Sequence, residues 1–286
     1  MSIRAVVRRH GLNWHLIQDL VDVWSALVAE HRRSRRCRVL LVDETSMRKR
    51  HRYVTVIVNA DTGQVLAMVA HRNAAALSGF FIEQGPRWCR GVQVVVSDGS
   101  KSYKAAIDQH LGHARHVLDQ FHVVRWFAAG LTLVRRDLQR REPAGVKPAF
   151  DPDVFRARFL LLRRGDTLQQ HDQARLDDLF ATHPKLQAGW NALQELHGLY
   201  QADDHDGALE ALDRFTDLYI IGELGEFHHV VDTIIAWGDE ILAWHTAGRP
   251  SNGRIEGTNN LLQVLRRVAH GFTNLDNFAA RGLLVT

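Results

Sequence analysis

Cysteine is scarce in this sequence, since only Cys37 and Cys89 occur among 286 residues. Two cysteines are too few for a disulfide framework or for a zinc site built from cysteine ligands. No apolar run approaches the roughly 20 residues that a membrane-spanning helix needs. The first ten residues carry three arginines and no hydrophobic signal core, so nothing indicates export. With 45% hydrophobic and 24% charged residues, the composition predicts an ordinary globular, cytoplasmic protein.

Charge is unevenly distributed along the chain. Residues 1–141 hold 23 Lys and Arg against 11 Asp and Glu, and residues 249–286 hold 5 against 2. Between them, residues 142–248 hold 8 against 19. Basic surfaces attract phosphate backbones through long-range attraction and counterion release. Any single basic cluster is more often ordinary solvated charge, but the segregation by segment favours a nucleic-acid partner.

The central local pattern is the stretch Arg38–Glu44, in which four apolar residues lead directly into Asp43. A strand that is apolar on both sides is typical of the middle of a sheet covered by helices. A second stretch, Val92–Asp98, has the same form, and Glu256 stands at the start of a helical pattern. Acids at the ends of adjacent parallel strands lie about 5 Å apart. That spacing suits carboxylates that bridge two divalent ions in phosphoryl transfer.

Acids that follow apolar strands also occur as caps and in other classes of protein. A lone aspartate at a strand end is more often a cap than a ligand, and Asp98-Gly99 alone is a turn signal. A haloacid-type phosphatase also begins with an apolar strand and an aspartate, but it needs a second aspartate where Thr45 stands. A response-regulator receiver is disfavoured because the early strands are linked as hairpins.

The order of predicted elements indicates the fold class. Two hairpin links followed by strand–helix alternation predict an α/β fold, a ribonuclease-H-like mixed five-stranded sheet with flanking helices, split by an all-helical insertion. The first strand is expected at the centre with the fourth beside it. The predicted strands are Val39–Asp43, Tyr53–Asn59, Val65–Ala70, Val92–Ser97 and His113–Leu118, and the predicted helices among them are Ala74–Gln84, Ser100–His110 and Gln120–Arg141.

The flanking segments are predicted to be helical. Apolar residues at 3–4 spacing predict a helix over Trp14–Trp24, the second helix of a partial helix-turn-helix, followed by a basic linker. The same spacing predicts five helices: Val154–Arg163, Leu168–Thr182, Lys185–Tyr200, Ala208–Leu218 and Glu226–Trp244. A last helix is expected over Arg254–Val268. The predicted organisation is therefore a partial helix-turn-helix and linker (1–37), the first part of the core (38–141), an acidic helical insertion (142–248) and the C-terminal core helix (249–286).

Four sequence blocks, taken together and in order, resemble the DDE transposases of insertion sequences in the ISL3 family. The resemblance runs from about residue 4 to the end of the chain. The blocks are Val42–Ser46 with the basic residues that follow it, Ser97–Tyr103, Leu118–Arg125, and Ser251–Asn274.

This resemblance implies metal-dependent DNA strand cleavage and transfer at insertion-sequence ends. It implies that Asp43, Asp98 and Glu256 are the catalytic acids and the ligands of Mg²⁺ or Mn²⁺. It further implies supporting roles for Asp119 and His122. Independently of the resemblance, Ser251 and Asn252 are expected to cap the helix that presents Glu256. The implied DNA contacts are Arg48, Lys49, Arg50, Arg266 and Arg267. The implied partners are double-stranded DNA, as terminal inverted repeats and target, and a possible second copy of the chain, in a cytoplasmic, nucleoid-associated protein.

The sequence departs from the family at its front, where members usually carry a cysteine-rich zinc-binding element and a complete helix-turn-helix. We therefore expect an N-terminally truncated transposase. Two alternatives stay open: an inactive DNA-binding remnant that interferes with a full-length relative, and a free-standing ribonuclease-H-like nuclease.

Overall fold

The computed structural model of the protein describes residues 2–48, 52–139, 151–222 and 224–286, without the side chains of Arg48 and Arg52. Five strands are present in these ranges: β1 (Val39–Arg48), β2 (Arg52–Asn59), β3 (Gln64–Ala70), β4 (Val94–Ser97) and β5 (Arg115–Leu118). The α-helices, in chain order, are α1 (Ile3–His10), α2 (Trp14–Arg33), α3 (Ala74–Gln84), α4 (Pro86–Cys89), α5 (Lys101–Leu111), α6 (Gln120–Leu138), α7 (Pro152–Arg156), α8 (Gln170–Thr182), α9 (Pro184–Gln201), α10 (His205–Ile220), α11 (His228–Ala236), α12 (Gly238–Thr246), α13 (Gly253–Val268) and α14 (Leu275–Val285).

The chain folds into two compact units. The first is built from two separate segments, Met1–Asp119 and Arg249–Thr286, and the second is the continuous segment Gln120–Gly248. The second unit therefore includes α6, which the predicted division assigned to the catalytic core. The four-part division of the chain stays a prediction.

The first unit contains a five-stranded sheet in the order β3-β2-β1-β4-β5. The hairpin-linked strands β1, β2 and β3 pair antiparallel, whereas β4 pairs parallel to β1 and β5 parallel to β4. This confirms the predicted mixed sheet, with the first strand central and the fourth beside it. The order follows from the linkers, because short turns connect only antiparallel neighbours and parallel neighbours need a helical crossover.

Helices cover both faces of this sheet, which explains why the first four residues of β1, Val39–Val42, are all apolar. On one face, Leu40 and Val42 of β1 pack in a buried cluster with Phe81 of α3 and Tyr103 of α5. On the other face, α13 contacts β1, while α14 contacts β3 and α2. Phe278 of α14 is fully buried there. Consecutive β1 residues therefore serve opposite layers, as the two-residue repeat of a strand requires.

Two helices of the first unit differ from the sequence prediction. Helix α2 does not end at Trp24 but continues to Arg33, into the first three residues of the basic linker expected over His31–Arg38. Helix α14 was not predicted, and Asn274 caps it by accepting a hydrogen bond from the Asp276 backbone N–H at 2.7 Å. The expected partial helix-turn-helix does begin with α1, a turn at Gly11 and α2.

The described part of the second unit is helical, as predicted, although the helix expected over Val154–Arg163 is only the short α7 followed by a 3₁₀ helix over Leu160–Leu162. The phenyl ring of Phe127 on α6 stacks on Phe227 with centroids 5.2 Å apart and meets Phe215 of α10 edge-on at 5.5 Å. The single helix expected over Glu226–Trp244 is instead two helices that break at Trp237. Across both units, no helix in the described ranges is long and apolar enough to cross a lipid bilayer.

Candidate active site

Strand register aligns three aspartates at one edge of the sheet. Val42 of β1 lies opposite Ser97 of β4, and Ser97 lies opposite Leu118 of β5. The next residue on each chain is an aspartate: Asp43, Asp98 and Asp119, respectively. Neighbouring strands are about 4.8 Å apart, so Asp98 starts within one strand spacing of Asp43 and of Asp119.

Asp98 is almost fully buried, with 3% of its surface exposed, and both of its carboxylate oxygens accept hydrogen bonds. Oδ1 accepts from the backbone N–H of Ser100 at 3.1 Å, which shapes the turn between β4 and α5. Oδ2 accepts from Arg72 Nη2 at 2.6 Å. The Nε atom of the same guanidinium lies 3.2 Å from Oε2 of Glu44, so a single positive charge is shared between two carboxylates.

A left-handed residue places Arg72 over the sheet edge. His71, directly after β3, has φ 70°, an uncommon conformation for a residue other than glycine. The surrounding hydrogen bonds hold it there. Its backbone N–H donates to the Tyr53 carbonyl at 3.3 Å, and its own carbonyl accepts from Thr55 Oγ1 at 2.8 Å.

Tyr103 lies beneath these carboxylates, with its hydroxyl 2.7 Å from Thr55 Oγ1. Burial raises the pKa of this phenol well above its ordinary value, and the negative charges of Asp98 and Glu44 raise it further. Tyr103 therefore stays neutral and serves the site as a fixed hydrogen-bonding group.

Helix α13 is attached to β1 through polar side chains. Asn259 Nδ2 donates to Asp43 Oδ2 at 2.8 Å, while Asp43 Oδ1 accepts from the Glu44 backbone N–H at 2.7 Å. One turn further on, Gln263 Nε2 donates to Thr45 Oγ1 at 2.6 Å. These bonds orient the Asp43 carboxylate and set the register of α13 along the strand.

Glu256 lies in the first turn of α13 and is exposed. It precedes Asn259 by three residues, so the two share one side of the helix, one turn apart. Because Asn259 contacts Asp43, Glu256 emerges close to that acid. Within the described ranges, however, no three His, Cys, Asp or Glu side chains are gathered at metal-binding geometry.

The donor atoms suit a divalent cation that prefers oxygen. Asp43 and Asp98 supply carboxylates, and the amide oxygen of Asn259 is buried without a hydrogen-bond partner in the described structure. Carboxylate and amide oxygens are the ligands that Mg²⁺ and Mn²⁺ accept. The residues present therefore fit such an ion in kind, with Glu256 as a further carboxylate one helical turn away.

The supporting residues expected from the sequence are distributed over both units. Asp119 is buried at the end of β5, where its backbone N–H donates to the Ser97 carbonyl at 3.0 Å. His122 lies in the first turn of α6, in the second unit. Asn252 occupies the N-cap position of α13, but its side chain makes no capping bond there. Ser251, the other residue expected to cap this helix, accepts a hydrogen bond at Oγ from the Gly253 backbone N–H at 3.1 Å.

The residues expected to contact DNA are found in different settings. Arg266 donates from Nη1 to the Ser46 carbonyl at 2.9 Å, so part of its guanidinium is committed within the protein. Arg267 is exposed. Lys49 and Arg50 lie outside the described residues, as does the side chain of Arg48.

Sequence reasoning missed Arg72 and Asn259 as parts of this site, and it assigned no role to Glu44. A signal for Arg72 did exist. In the predicted strand order, β3 runs in the same direction as β1, so the residues after β3 emerge at the same edge as Asp43. No comparable local signal marks Asn259.

The chain is similar in sequence to known transposases over most of its length. A family model described as transposase, of the DDE type and the ISL3 group, matches residues 40–282. The chain is 26% identical over 295 residues to the transposase for insertion sequence element IS1001 of Bordetella parapertussis, covering 97% of this chain and 68% of that protein. It is 25% identical over 303 residues to the transposase for insertion sequence element IS1557 of Mycobacterium tuberculosis, covering 99% of this chain and 68% of that protein.

Proposed function

Because the chain belongs to the ISL3 family of DDE transposases, we propose that Asp43, Asp98 and Glu256 are its catalytic acids and that they hold Mg²⁺ or Mn²⁺. Metal-dependent cleavage of DNA strands is the general activity of this family, which makes the chain an enzyme of polynucleotidyl transfer. The observation that supports the assignment is the strand register, in which Asp43 and Asp98 directly follow the paired residues Val42 and Ser97. Asn259, one helical turn after Glu256, donates a hydrogen bond to Asp43.

Each acid has a distinct setting in this proposal. Asp43 and Asp98 are held on rigid strands by hydrogen bonds to their carboxylates, so their oxygens are pre-positioned. Glu256 is exposed in the first turn of α13. A bound divalent ion supplies charge stabilisation at the attacking and leaving oxygens of the phosphodiester. Asn259 orients the Asp43 carboxylate, and its own buried amide oxygen faces no competing donor in the described structure.

Charge supports the first unit as the part that contacts DNA. This unit carries 23 Lys and Arg against 12 Asp and Glu, whereas the second carries 13 against 20. Phosphate contacts position a protein on DNA without reading sequence. We propose that the partners are the terminal inverted repeats and the target DNA, that Arg267 is one phosphate contact, and that a nucleoid-associated homo-oligomer carries out the reaction. His122 and Asp119 remain proposed supporting residues.

Metal-dependent stabilisation tests the acid assignment without DNA. An ion that binds the folded state stabilises it by RT ln(1 + [L]/Kd), about 1.4 kcal/mol at ten times Kd, or roughly 3–6 °C for a unit of this size. We expect Mn²⁺ at millimolar concentration to raise the Tm of the wild type and to raise it less in Asp43→Asn, Asp98→Asn and Glu256→Gln. Asp61→Asn, which alters a turn acid paired with Arg38, is the control and should respond like the wild type. Equal shifts in all five proteins would refute the assignment.

The reaction itself is tested with a duplex that ends in the terminal repeat of the encoding element and a supercoiled target plasmid. We expect Mn²⁺-dependent cleavage at the repeat end and joined products in the plasmid, both lost in Asp98→Asn. Cleavage without joining would indicate a nuclease. Binding with neither reaction would indicate a DNA-binding remnant.

A further inference from the structure

We propose that Arg72 is a built-in counter-cation of the metal site. In the metal-free protein its guanidinium occupies the Asp98 carboxylate, and a divalent ion must displace the guanidinium in order to bind there. This inference rests on the proposed function, because it presumes that Asp98 is a metal ligand. It assigns Arg72 the role of a competitor with the divalent ion for the carboxylate of Asp98.

The argument starts from the charge at the sheet edge. Three acids, Asp43, Glu44 and Asp98, occupy neighbouring positions at the sheet edge, although consecutive Asp43 and Glu44 point to opposite faces of β1, and Asp98 is 3% exposed. Like charges at this spacing repel, most strongly where burial keeps water away. The guanidinium of Arg72 meets two of the three, at 2.6 Å from Asp98 Oδ2 and 3.2 Å from Glu44 Oε2. It therefore supplies the positive charge that a metal ion would otherwise supply.

The two partners of Asp98 differ in how easily they can be replaced. Ser100 donates from its backbone N–H, inside a buried turn, so Oδ1 keeps this bond unless the chain itself moves. Arg72 donates from the end of a long side chain that is 42% exposed. An exposed side chain of this kind changes rotamer at small cost, whereas moving the backbone of a buried turn would disturb the fold around it. Oδ2 is thus the exchangeable oxygen, and a cation that takes its lone pair must compete with Arg72.

Competition predicts the sign of a mutational effect. If Arg72 occupies the ligand position, Arg72→Gln removes a competitor and a repelling positive charge, so Mn²⁺ should bind more tightly. If Arg72 instead braces the acids in a binding geometry, the same change should weaken binding. We expect the Kd for Mn²⁺ to fall five- to tenfold, where tenfold corresponds to about 1.4 kcal/mol.

The experiment is a Mn²⁺ titration of the full chain, with the free ion followed by electron paramagnetic resonance. Arg72→Gln is compared with Arg38→Gln, which makes the same change in net charge and breaks an Arg–Asp pair of 3.3 Å at the opposite end of β1. Arg38→Gln should leave the Kd within a factor of about two of the wild type, because exposed charges more than a Debye length away are largely screened. Arg72→Lys keeps the charge without the two-pronged geometry, so its Kd should fall between those of Arg72→Gln and the wild type.

The outcomes separate this inference from the proposed function. Loss of Mn²⁺ binding in Asp98→Asn together with unchanged or weaker binding in Arg72→Gln would overturn the role of Arg72 and leave the metal site standing. Equal Mn²⁺ binding by the wild type and Asp98→Asn would overturn both. If Arg72→Gln does not fold, as judged by circular dichroism, Arg72→Lys decides alone, and a Kd no lower than that of the wild type contradicts the inference.

Discussion

The hydrogen bond from Asn259 to Asp43 offers a quantitative test of how α13 is attached to the sheet. Asn259→Ala removes a 2.8 Å bond to a charged acceptor and leaves Oδ2 of a half-buried carboxylate without its helix donor. Hydrogen bonds to charged groups contribute about 1.5–3 kcal/mol. Alanine also gains about 0.5 kcal/mol of helix propensity over asparagine. The neighbouring residue Asn260 is exposed on the same helix, so Asn260→Ala gains the propensity and loses no bond to Asp43.

We therefore expect Asn259→Ala to be less stable than Asn260→Ala by about 2 kcal/mol, or roughly 4–8 °C in the Tm of the first unit. Thermal unfolding is measured by tryptophan fluorescence in EDTA, so that no ion substitutes for the lost donor. The comparison between two alanine variants cancels the propensity term. A difference below about 0.5 kcal/mol would refute the view that this bond fixes α13 on β1.

Two further predictions concern the second unit. A Cβ atom on Gly189 of α9 would lie 2.5 Å from the Phe227 ring, whereas one on Gly198 of the same helix would meet no described atom within 4 Å. In urea unfolding we expect the free energy of unfolding to fall by about 1–3 kcal/mol in Gly189→Ala and to rise by about 0.5–1 kcal/mol in Gly198→Ala. A stabilised Gly189→Ala would contradict this packing. Burial lowers the pKa of His197, so protonation favours the unfolded chain. The contribution of neutral His197 to stability should be fully present above the unfolded pKa of about 6.5 and should decrease as the pH drops below it. His197→Asn should therefore reduce the difference between the urea midpoints at pH 7.5 and pH 5.5.

Much of the fold could be predicted because its signals are local. The apolar runs of β1 and β4 identify buried strands, and helix α3 begins and ends where the sequence indicates. Helix α2 was predicted too short because its last turn is charged. The continuation depends on tertiary contacts: the guanidinium of Arg32 is buried and donates to the Val65 carbonyl at 2.9 Å and the Thr286 carbonyl at 3.1 Å. No local pattern reports a bond between residues so far apart.

The same distinction applies to the candidate site. Asp43 and Asp98 follow apolar strands, and a pairing of those strands is enough to bring them together. The bond between Asn259 and Asp43 spans 216 residues and requires the register of α13 on β1, which neither segment specifies alone. Arg72 lies between these cases. The strand direction predicts the edge of the sheet at which Arg72 lies, but the direction of its side chain depends on the left-handed backbone conformation of His71.

The reason that α13 must return to this edge lies in the unequal length of two strands. Strand β4 stops opposite Val42, whereas β1 continues for six more residues, paired with β2 alone. The Arg38 carbonyl accepts a bond from β4 and the Val39 carbonyl accepts one from the β2 side, so even-numbered β1 carbonyls face the β4 side. Beyond Val42, the carbonyls of Glu44 and Ser46 therefore face an edge without a strand.

Helix α13 supplies the missing donors at that edge. Asn259 lies 3.5 Å from the Glu44 carbonyl, and Gln263 donates to the Ser46 carbonyl at 3.1 Å. Buried backbone acceptors need partners, and an exposed strand edge invites pairing with another chain. The bonds that satisfy β1 thus also fix α13 along the strand, with Glu256 one helical turn before Asn259. Because these contacts specify where α13 binds β1, a helical unit of any size can separate α13 in sequence from β5.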